Sequence, residues 1–152
     1  MLIGFICPII YDFIKKWSRH FKRSDFDGVY ETEIYIGSDV EKRDEIRVIH
    51  DGRNDTLFGV VNRRYPVHFN NRRWRMQGIY KTNKIVCIVW PDQLSESMCC
   101  ASFVQVGKNH FSGSYYRYDD SQKCDISFRI ELRKIRELTP LERLKLTFFR
   151  GR

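Results

Sequence analysis

Between Phe26 and Arg133 apolar residues recur at every second position, which is the period of a strand with one buried face. Val29–Ile36 alternates Tyr30, Thr32, Ile34 and Ile36 with Val29, Glu31, Glu33 and Tyr35. Glu45–His50 sets Ile46 and Val48 on one face, and Thr56–Asn62 follows as a third strand. Arg73–Lys81 places Trp74, Met76, Gly78 and Tyr80 against Arg73, Arg75, Gln77 and Ile79. Lys84–Trp90, Met98–Val106, His110–Tyr118 and Cys124–Arg133 complete the predicted series. The connections are short and polar: Gly37–Asp44, Asp51–Asp55, Thr82-Asn83, Pro91–Ser97, Gly107–Asn109 and Asp119–Lys123. Arg63–Asn71 contains Pro66, which cannot donate to a ladder, so it is expected to be a loop. Consecutive strands with short turns predict an all-β fold, an eight-stranded antiparallel up-and-down barrel of the lipocalin-like kind.

The period changes at both ends. Thr139-Pro140-Leu141-Glu142 has the form of a capping box, with Thr as N-cap and Pro at the first helical position. It predicts a helix over 139–149 whose Leu141, Leu144 and Phe148 pack on the barrel wall. At the other end, Met1–Ile14 is apolar apart from Asp12, and Lys15, Lys16, Trp17 and Arg19 follow at once. Fourteen helical residues span about 21 Å, short of the roughly 20 residues that a crossing needs. Three readings stand: an interfacial anchor, the end of a spanning helix that begins upstream, or a helix packed on the barrel. The basic flank with Trp17 at the boundary favours the cytoplasmic edge of a membrane. A secretory leader is disfavoured, because the charges follow the apolar run. The expected organisation is a membrane-proximal hydrophobic and basic helix over 1–23, then a barrel domain over 24–152 that includes the C-terminal helix.

The net charge of +8 raises the question of nucleic acid, and its distribution redirects it. Met1–Arg23 holds five basic residues against one acid and Arg129–Arg152 eight against three, while the stretch between holds 14 against 15. Charge gathered at the chain ends suits an anionic membrane surface at least as well as nucleic acid. The five cysteines include no C-x-x-C pair, and they read as reduced small hydrophobes.

No phosphate-binding glycine loop, His-Glu-x-x-His, Gly-x-Ser-x-Gly or zinc-spaced Cys/His set occurs. His20, His50, His68 and His110 stand on separate elements, and the acids gather in turns. The chain therefore reads as a non-enzymatic binding module with no cofactor or metal. A ligand bearing bases and phosphates needs aromatic faces and guanidinium forks. Trp74, Tyr80 and Tyr115 are the stacking candidates; Arg73, Arg75, Arg117 and Arg129 are the phosphate candidates. The strand period puts Trp74 and Arg75 on opposite faces, so they have different tasks. Gly-x-Tyr recurs at Gly28-Val29-Tyr30, Gly78-Ile79-Tyr80 and Gly113-Ser114-Tyr115, and these glycines read as points of sharp bend or close approach in the wall.

Gly28-Val29-Tyr30 on the first strand, eight meandering strands, Arg133 or Arg136 at the end of the last, and a closing helix resemble the calycin group, which includes the lipocalins. The order of hydrophobic N-terminus, basic juncture and compact barrel is similar to the membrane-anchored β-barrel effectors of bacterial CBASS anti-phage immunity, over Ser24–Phe149. That resemblance implies that the barrel binds a cyclic oligonucleotide second messenger and oligomerises. It further implies action at the inner membrane with the barrel facing the cytoplasm. The competing readings are a lipocalin-like carrier of a small apolar ligand and a nucleic-acid-binding barrel that uses the basic stretch Arg63–Lys84.

Overall fold

The computed structural model describes residues 24–69, 71–92, 98–119 and 123–150. The expected helix over 1–23, with Lys15, Lys16, Trp17 and Arg19, lies outside the described residues.

Eight strands run β1 (Gly28–Ile36), β2 (Asp39–Asp51), β3 (Thr56–Tyr65), β4 (Arg73–Lys81), β5 (Lys84–Pro91), β6 (Cys99–Gly107), β7 (His110–Asp119) and β8 (Cys124–Arg136). Each pairs antiparallel with the next, and β8 returns to β1, so the sheet closes as a barrel in chain order. Closure leaves no unpaired edge. The ladder slips at Ile34/Tyr35, Arg43/Asp44 and Gln105/Gly107, where an extra residue bends the wall. Gly78 and Gly113 are needed for close approach. A Cβ on Gly113 would strike the backbone of Ser102 and Phe103 on β6, and one on Gly78 would come within 2.6 Å of the Cys87 Cβ on β5.

Two of the expected boundaries move. The stretch Asp39–Asp44, expected to be a turn, is the first half of β2, because its pairing with β1 continues past a bulge. β3 runs on to Tyr65 and ends at the cis Tyr65-Pro66 bond, so only a short 3-10 turn, Val67–Phe69, remains of the expected basic loop.

The hairpin turn Thr82-Asn83 has both residues at positive φ, 52° and 63°, the conformation that matches the twist of paired strands. Register then fixes the faces: Trp74 and Met76 are buried in the core, whereas Ile79 on the other face is 54 % exposed. Leu57, Met76, Ile85, Cys87, Ala101 and Phe103 are all nearly inaccessible and fill the middle of the barrel.

One end of the barrel is plugged by rings. The chain enters at Ser24, and Phe26 stacks on Tyr80 (4.5 Å between centroids) and Tyr30 (5.2 Å) and meets the Phe111 ring edge-on (5.5 Å). Tyr30 donates its hydroxyl to the Phe26 carbonyl at 2.7 Å, which satisfies the polar atom of a fully buried side chain. Asp27, 1 % exposed, accepts from the His50 amide at 2.6 Å and pairs with Arg143, tying the entering chain to β2 and to the C-terminal helix.

That helix, α1 (Pro140–Arg150), starts at the expected capping box. The Glu142 amide donates to Thr139 Oγ1 at 3.3 Å, and the Thr139 amide donates to Glu142 Oε2 at 2.9 Å. Its buried face differs from the expectation. Leu146 and Arg143 face the barrel, while Leu141 and Phe148 are 60 % and 68 % exposed. The buried Asp27–Arg143 pair fixes the helix in this rotation, and Leu146, one turn on, falls among Val29, Phe58, Val60 and Leu138. The unbroken run Leu57-Phe58-Gly59-Val60-Val61 is buried throughout because β3 packs against the core on one side and α1 on the other.

Candidate functional site

At the end opposite the ring plug, the inward alternation runs into charge. On β2 the series Val48, Ile46, Asp44 continues to Lys42. On β3, Leu57, Gly59 and Val61 lead to Arg63, and on β7, Phe111, Gly113 and Tyr115 lead to Arg117. Pairing sets Asp44 opposite Arg63 and Cys99 opposite Arg117. Trp74, Tyr115 and Phe128 supply rings to the same interior.

Asp44 and Arg63 form a buried pair, each side chain 7 % exposed, with Arg63 Nε and Nη2 both donating to the carboxylate. The Arg63 guanidinium lies 5.0 Å from the centroid of Trp74, so that cation has both a charge partner and an aromatic face. Burial lifts the Asp44 carboxyl above its ordinary value, against the pull of Arg63 and Lys42.

Arg117 has a different environment. Its guanidinium stands 5.6 Å from the Phe128 centroid, and its Nε is buried with no hydrogen-bond acceptor among the described residues. Lys42 is half-buried at the same end. Burial, with Arg117 and Arg63 nearby, lowers its ammonium from the ordinary lysine value, while Glu41 at 3.5 Å opposes the shift. Beside them, Tyr115 hydrogen-bonds Cys99, and burial pushes the Cys99 thiol up to about 11 and keeps the tyrosine protonated. Among the described residues, three cations thus meet two carboxylates, Asp44 on Arg63 and Glu41 on Lys42, next to aromatic rings. Such a layer accepts an anion, with guanidinium N–H groups as donors and ring faces for a flat substituent.

The structure divides the seven residues expected to bind ligand. Trp74, Tyr115 and Arg117 point inward at this end. Tyr80 also points inward, but it belongs to the ring plug, six positions along β4 from Trp74 and so roughly 20 Å away. Arg73 and Arg75 stand on the outer wall, where both reach Asp92, at 3.3 and 2.9 Å. Arg129 is on the outer wall too, over the Tyr35 ring and bonded to Glu131 at 2.8 Å. Glu131 is buried, which pulls its carboxyl up, yet donation from Arg129, His110 and Ser112 prevails and holds it below its ordinary value. That outer cluster is saturated by its own members, unlike the inner layer.

Lys42, Asp44 and Arg63 were not among the expected site residues. The signal for them is the continuation of the two-residue period into charge: Lys42-x-Asp44-x-Ile46-x-Val48 on one strand and Leu57-x-Gly59-x-Val61-x-Arg63 on the next. No group of three His, Cys, Asp or Glu that could hold a metal ion occurs among the described residues.

The chain matches no protein-family model, and no curated protein matches it.

Proposed function

We propose that this protein is a ligand-sensing barrel, lipocalin-like in architecture, that takes an anionic, ring-bearing ligand at its cationic end. The ligand class we assign is the cyclic oligonucleotide, which offers phosphates to Lys42, Arg63 and Arg117 and bases to Trp74 and Phe128. The narrower reading follows the resemblance to the membrane-anchored effectors of CBASS immunity: a second messenger binds, the barrel self-associates, and the assembly acts in antiviral defence at the inner membrane, with the barrel on its cytoplasmic side.

One observation carries the ligand reading: the buried Arg117 Nε has no acceptor among the described residues, in a layer where Asp44 pairs with Arg63 and Glu41 with Lys42. An unsatisfied buried donor costs about 1–3 kcal/mol, and a phosphate oxygen removes that cost on binding. The packed middle of the barrel favours a ligand at the mouth over carriage of an apolar molecule deep inside.

Thermal unfolding of the full chain against a panel of cyclic di- and trinucleotides tests this reading. A true ligand at about 100 times its Kd adds about 2.7 kcal/mol, a rise of roughly 5–10 °C for a chain of this size. Flat melting curves across the panel, with the folded protein verified, overturn it.

A further inference from the structure

Part of the outer wall of β4, β5 and β6 carries apolar residues where a solvated wall has polar ones. Ile79, Val86, Ile88, Val104 and Val106 are each at least half exposed. Register makes them one patch, with Ile79 opposite Val86, Val86 opposite Ser102, and Val104 opposite Lys84. The patch lies on the side of the barrel away from α1, which covers β2 and β3. An exposed patch of this kind marks an interaction surface.

Its position names the occupant. The patch reaches the plugged end, where the two turns beside it are basic: Lys81-Thr82-Asn83-Lys84 and Gly107-Lys108-Asn109. Lys81, Lys84 and Lys108 are all exposed; Lys81 comes within 4.0 Å of Asp55, leaving Lys84 and Lys108 to set the local sign. The chain also enters the barrel at this end, directly after the apolar run Met1–Ile14 and the basic run Lys15–Arg23. Apolar tips between lysines match a bilayer with anionic headgroups, where each lysine near the surface adds to the attraction. A second copy docked on the same patch would bring like-charged lysine turns together, so the charge disfavours it.

We infer that the plugged end of the barrel, through Ile79, Val86, Val104 and Val106 with Lys84 and Lys108, rests on an anionic membrane surface. The cationic mouth at the opposite end is thereby held open to solvent. The inference rests on the membrane setting proposed above and not on the identity of the ligand.

Amide exchange of the full chain, read by mass spectrometry with phosphatidylcholine vesicles and with equimolar phosphatidylcholine–phosphatidylglycerol vesicles, tests it. The expected result is slowed exchange in the turns at 81–84 and 107–109 with the anionic vesicles only, and none at the Gly37-Ser38 turn of the other end. The double variant Lys84→Glu/Lys108→Glu should weaken anionic-vesicle binding on the order of tenfold or more, with an unchanged melting temperature. Four results overturn the inference: no association with vesicles, association that leaves both turns unprotected, equal protection by neutral vesicles, or protection that grows with protein concentration without lipid. A ligand-induced rise in melting temperature alongside any of them leaves the ligand reading standing and sinks only this one.

Discussion

The two ends of the barrel are made by the same eight strands with the same alternation, yet one finishes its inner face in rings and the other in charge. At the plugged end the buried polar groups are neutral or paired: Tyr30 donates to the Phe26 carbonyl, and Asp27 accepts from His50, Ser24 and Arg143, with the ring Nε2 of His50 the exception that finds no partner among the described residues. At the cationic end Asp44 and Arg63 satisfy each other, while Arg117 keeps a buried donor without an acceptor among the described residues and Lys42 is held below its ordinary pKa. The difference separates what holds the barrel shut from what it presents. Aromatic burial at one end stabilises enough for the other end to carry unbalanced charge.

The largest effect that follows is on stability. Phe26→Ala removes a buried ring packed with those of Tyr30, His50, Tyr80 and Phe111 and should cost about 3–5 kcal/mol in urea unfolding. Arg117→Met should stay within about 1 kcal/mol of the parent or exceed it, because an apolar side chain of similar length replaces a half-buried one whose Nε is buried without an acceptor among the described residues. Equal losses for the two variants would break the comparison and make the cationic end part of the structural core.

A smaller effect sharpens where the stabilising end extends. The Arg136 fork beside Glu142, helped by the Thr139 amide, holds the Glu142 carboxyl down at about 2. A carboxyl with a depressed folded-state pKa stabilises above its unfolded value of 4.5 and loses that contribution as pH falls towards about 2. Solvent screening limits it to about 1 kcal/mol. Glu142→Gln should therefore lower stability by about that amount at pH 7 and by nothing measurable at the acid end of the window. An undiminished difference in acid would show that the helix start does not depend on this charge.

Most of the frame is written locally in the chain. Period-two alternation and turn formers locate all eight strands, and the inward face of β4 is legible because Trp74, Met76 and Tyr80 share it. The capping box at Thr139 and Glu142 is legible for the same reason, since it needs only four residues. The rotation of α1 is not, because it depends on Asp27, 116 residues away from Arg143. The site is half legible. Trp74, Tyr115 and Arg117 follow from strand parity, but Lys42 and Asp44 lie in a stretch whose charges read as a turn. The arginines Arg73, Arg75 and Arg129 drew notice by number, and only register shows that Asp92 and Glu131 already engage them on the outer wall.

The central claim is that the cationic end is a binding layer and the plugged end is not. Titration calorimetry of cyclic dinucleotides into the full chain tests it most directly, in two buffers of different ionisation enthalpy and with Lys42→Met and Phe26→Leu alongside. An anion beside Lys42 raises its lowered pKa, so binding at alkaline pH should take up protons, and affinity should fall as pH rises through the free-state value. Lys42→Met should abolish the uptake and weaken binding, while Phe26→Leu should change neither. Binding without proton uptake and with equal affinity in the parent and Lys42→Met would contradict the account.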